Sequence, residues 1–570
     1  MVEADFTALS ISEEQAAQIA SDLWGIRGKT QTLPGEVDFN FRITGPDGSF
    51  TLKVSRPQAD AGYLLYQQEL LDYLAGQDPD GVSPRVIPDK QGRILGETRD
   101  KAGRSRMVRM LSWVEGRLWS GVNPITNRLL HSLGARCGML SKTLTGFDHP
   151  QAHRNFEWDL AQAGWTSEYL HLFSTEQQEL VRYFQHLYED FQEEYKLLRK
   201  GVVHNDANDN NIVVSDHLED PEVLALIDYG DAIYTQLIND LAVAIAYAVM
   251  GKPDVLAAAV PLVKGYHETF PIQEKELEFL YTLVAMRLVI SVSKSAINRK
   301  AEPDNSYLLV SEKAAWDVLK KWRKVREEFA LFSFREACSY CPHPGEDRFK
   351  AWAKDQQVSL ASLFPGLQKE AVESLDLSVS STWLGHQSEL ENLEDFQYKI
   401  NRLQARLPDR IIAGGYLEPR VVYTTPAYDK TGNSRSESRT IHLGVDLWVE
   451  AGTAVHALFD GEVYTAVNDA GDKEFGGLII LKHREGDTEF FTLHGHLALE
   501  SLEKTRQGKH IRQGEQIGWI GTFPENGNWV PHLHFQVILS MLGYRDDFPG
   551  VAYYNEIDVW KSICPDPNLL

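Results

Sequence analysis

The stretch Val203-His204-Asn205-Asp206-Ala207-Asn208-Asp209-Asn210-Asn211-Ile212-Val213-Val214 decides how the first half of the chain is read. A histidine, an aspartate two residues on and an asparagine five further on share a polar loop. The Ile-Val-Val run that follows predicts a strand, and Val223-Leu224-Ala225-Leu226-Ile227 predicts a second one ending on Asp228. Carboxylate, amide and carboxylate in that order suit phosphoryl transfer to a hydroxyl. Asp206 would orient the acceptor hydroxyl and take its proton. The amide oxygen of Asn211 and the carboxylate of Asp228 would hold magnesium ions that bridge the phosphates, and Mg²⁺ prefers oxygen ligands of this kind.

Upstream, Ser10 to Trp24 has helical spacing, and Gly35 to Ile43 predicts a strand that turns at Gly45-Pro46-Asp47-Gly48 into a partner strand, Ser49 to Val54. Lys53 lies on that second strand, and sixteen positions later Glu69 lies in a predicted helix, Tyr63 to Leu74. A strand lysine paired with a helix glutamate is a way of holding nucleotide phosphates; a surface lysine on a strand reads the same in isolation. Met107 to Gly116 reads as a strand that would serve as an inter-lobe hinge or as a plain buried strand. Residues 124–199 are largely helical by pattern, Leu241 to Met250 reads as a buried helix, and Ile272 to Phe329 as a long helical region.

His204-x-Asp206-x4-Asn211, then Ile227-Asp228-Tyr229-Gly230-Asp231 and Asp240-Leu241-Ala242, resemble the aminoglycoside phosphotransferase family, which includes choline, homoserine and hydroxylysine kinases. The resemblance covers about residues 10–345. It implies a bilobal α+β kinase-like fold, with an N-lobe over 1–109 and a helical C-lobe over 110–345. It also implies ATP and Mg²⁺ as cofactors, Asp206 as catalytic base, Asn211 and Asp228 as metal ligands, and Lys53 with its partner Glu69 on the nucleotide. Asp231 and Glu115 become the candidates for the amine of a small amino-alcohol acceptor. His204 and Asp240 are expected to support the loop rather than react. Gly35 is the lone glycine of the nucleotide loop, a departure from stricter glycine-rich patterns.

At 570 residues the chain exceeds a single core. A formal net charge of −24 argues against nucleic acid and anionic membrane surfaces as partners. Four cysteines and an N-terminal stretch without a basic start or long apolar core lead to the expectation of a cytoplasmic location. Cys338-x-x-Cys341 has no second cysteine pair to complete a structural zinc site and is read as a loop. Residues 346–410 read as a partly helical linker.

From about Leu417 the texture changes to short strands with Gly, Pro and Asp turns, a mostly antiparallel β domain over 411–570. Within it lie His442-Leu443-Gly444-Val445-Asp446, His494-Gly495-His496 and His532-Leu533-His534. Residues two apart on a strand share a face, so His532 and His534 would face one pocket. Two imidazoles and a carboxylate would leave a tetrahedral Zn²⁺ open to water. The motifs resemble lysostaphin/LytM-type zinc endopeptidases over about 415–540. This implies His442, Asp446 and His534 as zinc ligands and His496 and His532 as catalytic histidines, with His494 where that family usually has tyrosine. The order of the two domains also resembles larger fusions in which a pyridoxal-phosphate, class III aminotransferase-like module follows. That implies such a module or protein as a partner, and this chain as a shortened form. Three functional classes stand at this point: a small-molecule kinase, a peptidoglycan-type zinc endopeptidase with a kinase-fold appendage, and a non-catalytic binding or scaffold protein.

Overall fold

The computed structural model describes residues 9–35, 37–78, 81–301, 312–369, 371–386, 391–423 and 425–570. The chain divides into two compact units, residues 1–324 and 325–570. Glu36, in the strand expected over Gly35 to Ile43, lies outside the described residues, as do residues 302–311 of the expected long helical region.

The first unit opens with α1 (Glu13–Trp24), capped by the Ser12 hydroxyl, which accepts from the Gln15 amide. A five-stranded antiparallel sheet follows: β1 (Lys29–Leu33), β2 (Phe39–Gly45), β3 (Gly48–Val54), β4 (Gly96–Arg99) and β5 (Ser105–Ser112), in the order β1-β2-β3-β5-β4. Its buried face gathers Phe39, Phe41, Ile43, Leu52, Val54, Val108 and Met110 against α1. Lys53 stands opposite Arg109 in the β3–β5 register. Between β3 and β4 runs α2 (Ala61–Gln77), which buries Leu64, Tyr66, Gln67, Gln68, Leu70, Leu71 and Leu74.

The helical part contains α3 (Asn127–Leu144), α4 (Ile238–Ala248), α5 (Val255–Thr269) and α6 (Glu274–Ala301). One small strand precedes α3 and four lie between α3 and α4. β6 (Arg117–Leu118), β8 (Ile212–Val214) and β9 (Val223–Leu226) form one sheet, and β7 (Lys200–Val203) pairs with β10 (Ile233–Gln236) in another. The polar loop of the quoted stretch therefore leaves one small sheet and enters the other. Helix α6 has the length and hydropathy to cross a membrane, but 89% of its apolar window is buried inside the unit. That burial is the pattern of a core helix.

The second unit is organised on eight strands: β11 (Ala371–Leu375), β12 (Arg410–Gly414), β13 (Val445–Trp448), β14 (Gly461–Asp469), β15 (Gly476–Glu485), β16 (Thr488–Leu497), β17 (His510–Ile511) and β18 (Leu533–Ile538). Their order is β11-β12-β13-β18-β16-β15-β14-β17, with β11–β12 parallel and the other pairs antiparallel. One core holds Val445, Leu447, Ile479, Leu481, Leu533, Phe535 and Val537; a second holds Leu443, Leu478, Ile480, Leu493 and Ile538.

The structure departs from the expected linker. Helix α7 (Glu346–Lys354) packs Phe349 and Trp352 on Phe490, with ring centres 5.2 and 4.7 Å apart. Leu360, Leu363 and Phe364 join the same core, β11 adds a strand to the sheet, and Phe396 of α8 (Leu393–Arg406) packs edge-on against Trp448. Residues 346–410 thus carry apolar side chains whose burial completes this unit. The boundary also falls earlier than 345, because Phe332 buries in the second core and the Arg326 guanidinium sits 3.4 Å from the centre of the Tyr544 ring.

Two histidines are sealed within the sheet. His483 bonds the Asp460 carbonyl and the Thr492 hydroxyl, and burial pulls it down to about 4. Burial pulls His494 down to about 3. For a histidine depressed by burial, the unfolded chain binds the proton first. Stability should therefore be constant above pH 6.5 and fall as pH drops toward 4. His483 alone should cost about 3 kcal/mol once it is fully protonated. Melting curves against pH should show this for the second unit, and His483→Gln should flatten the slope. Phe349→Ala should lower the same transition by about 3–5 kcal/mol; a linker residue would leave it unchanged.

Candidate active sites

In the first unit the polar loop is held from below. His204 is fully buried; its Nε2–H donates to the Ile227 carbonyl and its Nδ1 accepts from the Asp206 amide. Burial pulls it down to about 4, so it is neutral. Asp240 accepts the amide of Asn205, which adopts a positive φ of 66°. These contacts turn the loop so that Asp206 faces the cleft.

Both oxygens of Asp206 are engaged. Oδ2 accepts from Asn211 Nδ2 at 2.7 Å and Asn208 Nδ2 at 2.9 Å, while Oδ1 accepts from Arg287 Nη2 at 3.0 Å. Because Asn211 donates through its nitrogen, its oxygen is the atom that would serve a cation. Asp228 pairs with Lys53 at 3.0 Å, and that charge holds its carboxyl down at about 2. Burial pushes Asp206 up, to about 8, against the pull of Arg287, and Asp231 and Asp228 add to the rise. The structure thus bonds Asn211 to Asp206 and Lys53 to Asp228, with Asp228 and Asp231 near enough to Asp206 for their charges to act on it. Oxygen donors from an amide and a carboxylate fit a magnesium-type ion.

Two expected residues lie elsewhere. Glu69 does not reach Lys53: it is half-exposed beside His149, at 3.5 Å, because the positions of α2 that face inward are Gln67 and Gln68. The helix contact to the sheet runs instead through Arg109, which donates to Gln67 at 2.9 Å and to Asp38 of the preceding loop at 2.7 Å. Glu115 is exposed and paired with Arg42 at 3.1 Å, so it does not line the acceptor side. Arg287 and Arg109 carry no local motif; helix and strand arginines are common, and the fold alone assigns them.

In the second unit His442, Asp446 and His534 converge, all buried. His442 Nε2 lies 3.0 Å from His534 Nδ1, and each lies 3.2 Å from Asp446 Oδ1. Three donors this close match the edges of a tetrahedron, about 3.3 Å for metal–ligand bonds of about 2.0 Å. Their protons point outward. His442 Nδ1–H donates to the Gly415 carbonyl and His534 Nε2–H to the Gln536 side-chain oxygen, leaving the inward nitrogens bare. Arg420 Nη1 donates to the other oxygen of Asp446 at 2.5 Å. Burial raises Asp446, yet His442 and Arg420 hold it well below the usual carboxylate range. This donor set fits a zinc-type ion.

His496 and His532 line the same cleft, with ring centres 4.3 Å apart. Each donates Nδ1–H to a backbone carbonyl, Asn526 and Val530 respectively, and burial lowers both, so their Nε2 atoms are unprotonated. His494 lies apart. It stands opposite Phe535 in the register, whereas Gly495 stands opposite His534, and a positive φ of 65° at His496 swings that ring to the ligand side. The glycine of His442-Leu443-Gly444-Val445-Asp446 is required by space: a Cβ there would sit 2.7 Å from His534 Nε2 and 2.6 Å from the Phe535 carbonyl oxygen. Arg420, Gly415 and Gln536, which bond Asp446, His442 and His534, lie outside the motifs read from sequence, although Gln536 follows His534 by the same i+2 spacing.

Residues 29–275 match the family described as Phosphotransferase enzyme family, and residues 440–542 match Peptidase family M23. Hydroxylysine kinase of Mus musculus is 24% identical over 337 residues, covering 54% of this chain and 89% of that protein. The Xenopus laevis hydroxylysine kinase is 26% identical over 358 residues, covering 58% of this chain and 95% of that protein. Lysostaphin of Staphylococcus simulans is 27% identical over 131 residues, which are 22% of this chain and 25% of that protein. Among solved structures, an amicoumacin kinase in complex with AMP-PNP aligns at a TM-score of 0.43 and 17% identity, over 57% of this chain and 95% of that one. A microcompartment-associated aminopropanol kinase aligns at 0.42 and 18%, over 57% and 98%. The first unit of this chain therefore carries a domain of the phosphotransferase enzyme family, and the second unit a domain of peptidase family M23.

Proposed function

We propose that the first unit is an ATP- and Mg²⁺-dependent kinase that phosphorylates the hydroxyl of a small amino alcohol or hydroxy amino acid. The observation that carries this reading is Asp206 fixed at both oxygens, one of them by Asn211, with the Asp228–Lys53 pair close enough for its charge to reach Asp206. The hydroxylysine kinases, matched over nearly their whole length, support the acceptor class.

In this reading Asp206 accepts a hydrogen bond from the acceptor hydroxyl and takes its proton as the phosphoryl group arrives. Lys53 releases Asp228 to meet the nucleotide phosphates, and Asn211 and Asp228 would hold the cation. Magnesium bound there neutralises charge that builds on the transferring phosphate. Asp231, beside Asp206, offers a carboxylate to an acceptor ammonium.

We also propose zinc endopeptidase activity for the second unit, on the strength of the His442–Asp446–His534 geometry. Zinc in this site would acidify a water and polarise a scissile carbonyl. His496 and His532, neutral and bare at Nε2, would accept a proton from that water, and the imidazolium so formed would then donate Nε2–H to the developing oxyanion. The cleft is walled by Tyr423, Trp448, Phe475 and Trp529, and its aromatic surface suits an extended peptide backbone. A cytoplasmic location is part of the proposal, and all four cysteines are free thiols. A pyridoxal-phosphate partner acting on the phosphorylated product is proposed with it, to be tested by co-purification.

Incubation with ATP, Mg²⁺ and ethanolamine, choline, homoserine, hydroxylysine or aminoglycosides, followed by phosphorus NMR, should show a phosphomonoester for at least one acceptor. Asp206→Asn should reduce that turnover at least about a hundredfold. A blank panel with an unaffected Asp206→Asn variant would sink the kinase reading and favour a binding protein. For the second unit, purified protein should hold one zinc, lost in His442→Ala, and peptide cleavage should stop with chelator and return with zinc. Stoichiometric zinc without cleavage of any glycine-rich or cross-bridge peptide would leave a metal-binding domain only.

A further inference from the structure

We infer that Arg287 is a positioning residue for the Asp206 carboxylate, a role that rests on the kinase reading above. Arg287 lies within α6, far in sequence from the loop it serves, and its side chain is 1% exposed. Nη2 donates to Asp206 Oδ1 and Nη1 to the Trp158 backbone carbonyl, both at 3.0 Å. The guanidinium carbon lies 4.6 Å from the ring centre of Trp158 and 5.4 Å from that of Tyr247. A planar cation fixed by a carbonyl and two rings has one orientation, and it passes that orientation to the carboxylate.

The opposite oxygen of Asp206 is held separately by Asn208 and Asn211. Rotation of the carboxylate would break one set of bonds or the other. A proton acceptor must face its donor within a few tenths of an ångström, and a misplacement of about 1 Å costs on the order of a hundredfold in rate. Arg287 also supplies the cation beside Asp206 in a cleft that holds Asp228 and Asp231 as well, where Lys53 is already paired to Asp228. A direct role in binding an anionic group of the acceptor fits less well, since both terminal nitrogens are engaged and the side chain is sealed from the cleft.

The test uses the full chain with Arg287→Met, Arg287→Lys, Asp206→Asn and the double variant Asp206→Asn/Arg287→Met, assayed with whichever acceptor wild type turns over. Arg287→Met should lower kcat about 10- to 100-fold while KM for ATP and acceptor stays within about threefold, and Arg287→Lys should recover part of the loss. The double variant should be no slower than Asp206→Asn alone, because the contribution of Arg287 passes through Asp206. It should also melt above Arg287→Met, which leaves a largely buried carboxylate unpaired. Losses that multiply, or a raised acceptor KM at unchanged kcat, would overturn the role while leaving the kinase reading intact. Absence of turnover by wild type with every acceptor would overturn the kinase reading and this role together.

Discussion

A carboxylate withdrawn from water needs its charge answered, and each unit is built round one that is. Asp206 accepts from Arg287, Asn208 and Asn211; Asp446 accepts from Arg420 on one oxygen and turns the other to the bare nitrogens of His442 and His534, where a cation would complete the set. Removing one partner from such a set leaves charge uncompensated at low dielectric, which costs far more than the net worth of the contact. The sheets, the loop with His204 beneath it and the strand pairing that sets Gly495 opposite His534 all deliver those donors. The arginine in each case comes from outside the motif it serves.

The second constraint is tautomeric. An imidazole that is to ligate a metal or accept a proton needs one bare nitrogen aimed at the chemistry, and the protein secures this by giving the other nitrogen a fixed acceptor. Gly415, Asn526 and Val530 do so with backbone carbonyls, and Gln536 with its side chain. The Gln536 orientation is set in turn by its own donation to the Pro549 carbonyl. Backbone carbonyls carry no sequence signature, which is why strand geometry was needed to find them.

Much of both sites was legible because their chemistry is local. His204 to Asn211 form one loop, Asp228 follows the next strand closely, and His532, just before its strand, and His534 on it line one cleft as their i+2 spacing suggests. The errors came where tertiary packing decides. Glu69 has the right spacing from Lys53, but α2 turns Gln67 and Gln68 inward, and the sheet answers with Arg109 and Asp38. Glu115 was acidic and close to a glycine, and a surface arginine takes it. Residues 346–410 read as a linker because their apolar positions are spread over short elements. The two helices among them are amphipathic, but their apolar faces bury only when the sheet supplies the opposite face. The i+2 rule also fails between His494 and His496, since a left-handed residue breaks strand alternation.

The two carboxylates show how one residue type is given two roles. Asp446 is wrapped by imidazoles and a guanidinium, and despite its burial it stays anionic far into acid, which is what a metal ligand requires. Asp206 has a cation and two amides, but burial and the charges of Asp231 and Asp228 push it up, to about 8. A group that never takes a proton cannot act as a base, and one far below the working pH is a weak base. Burial and the acidic neighbours therefore raise the proton affinity of Asp206, while Arg287 and the amide of Asn208 oppose them. Around Asp446 it is His442 and Arg420 that act against the cost of burial and keep it a ligand.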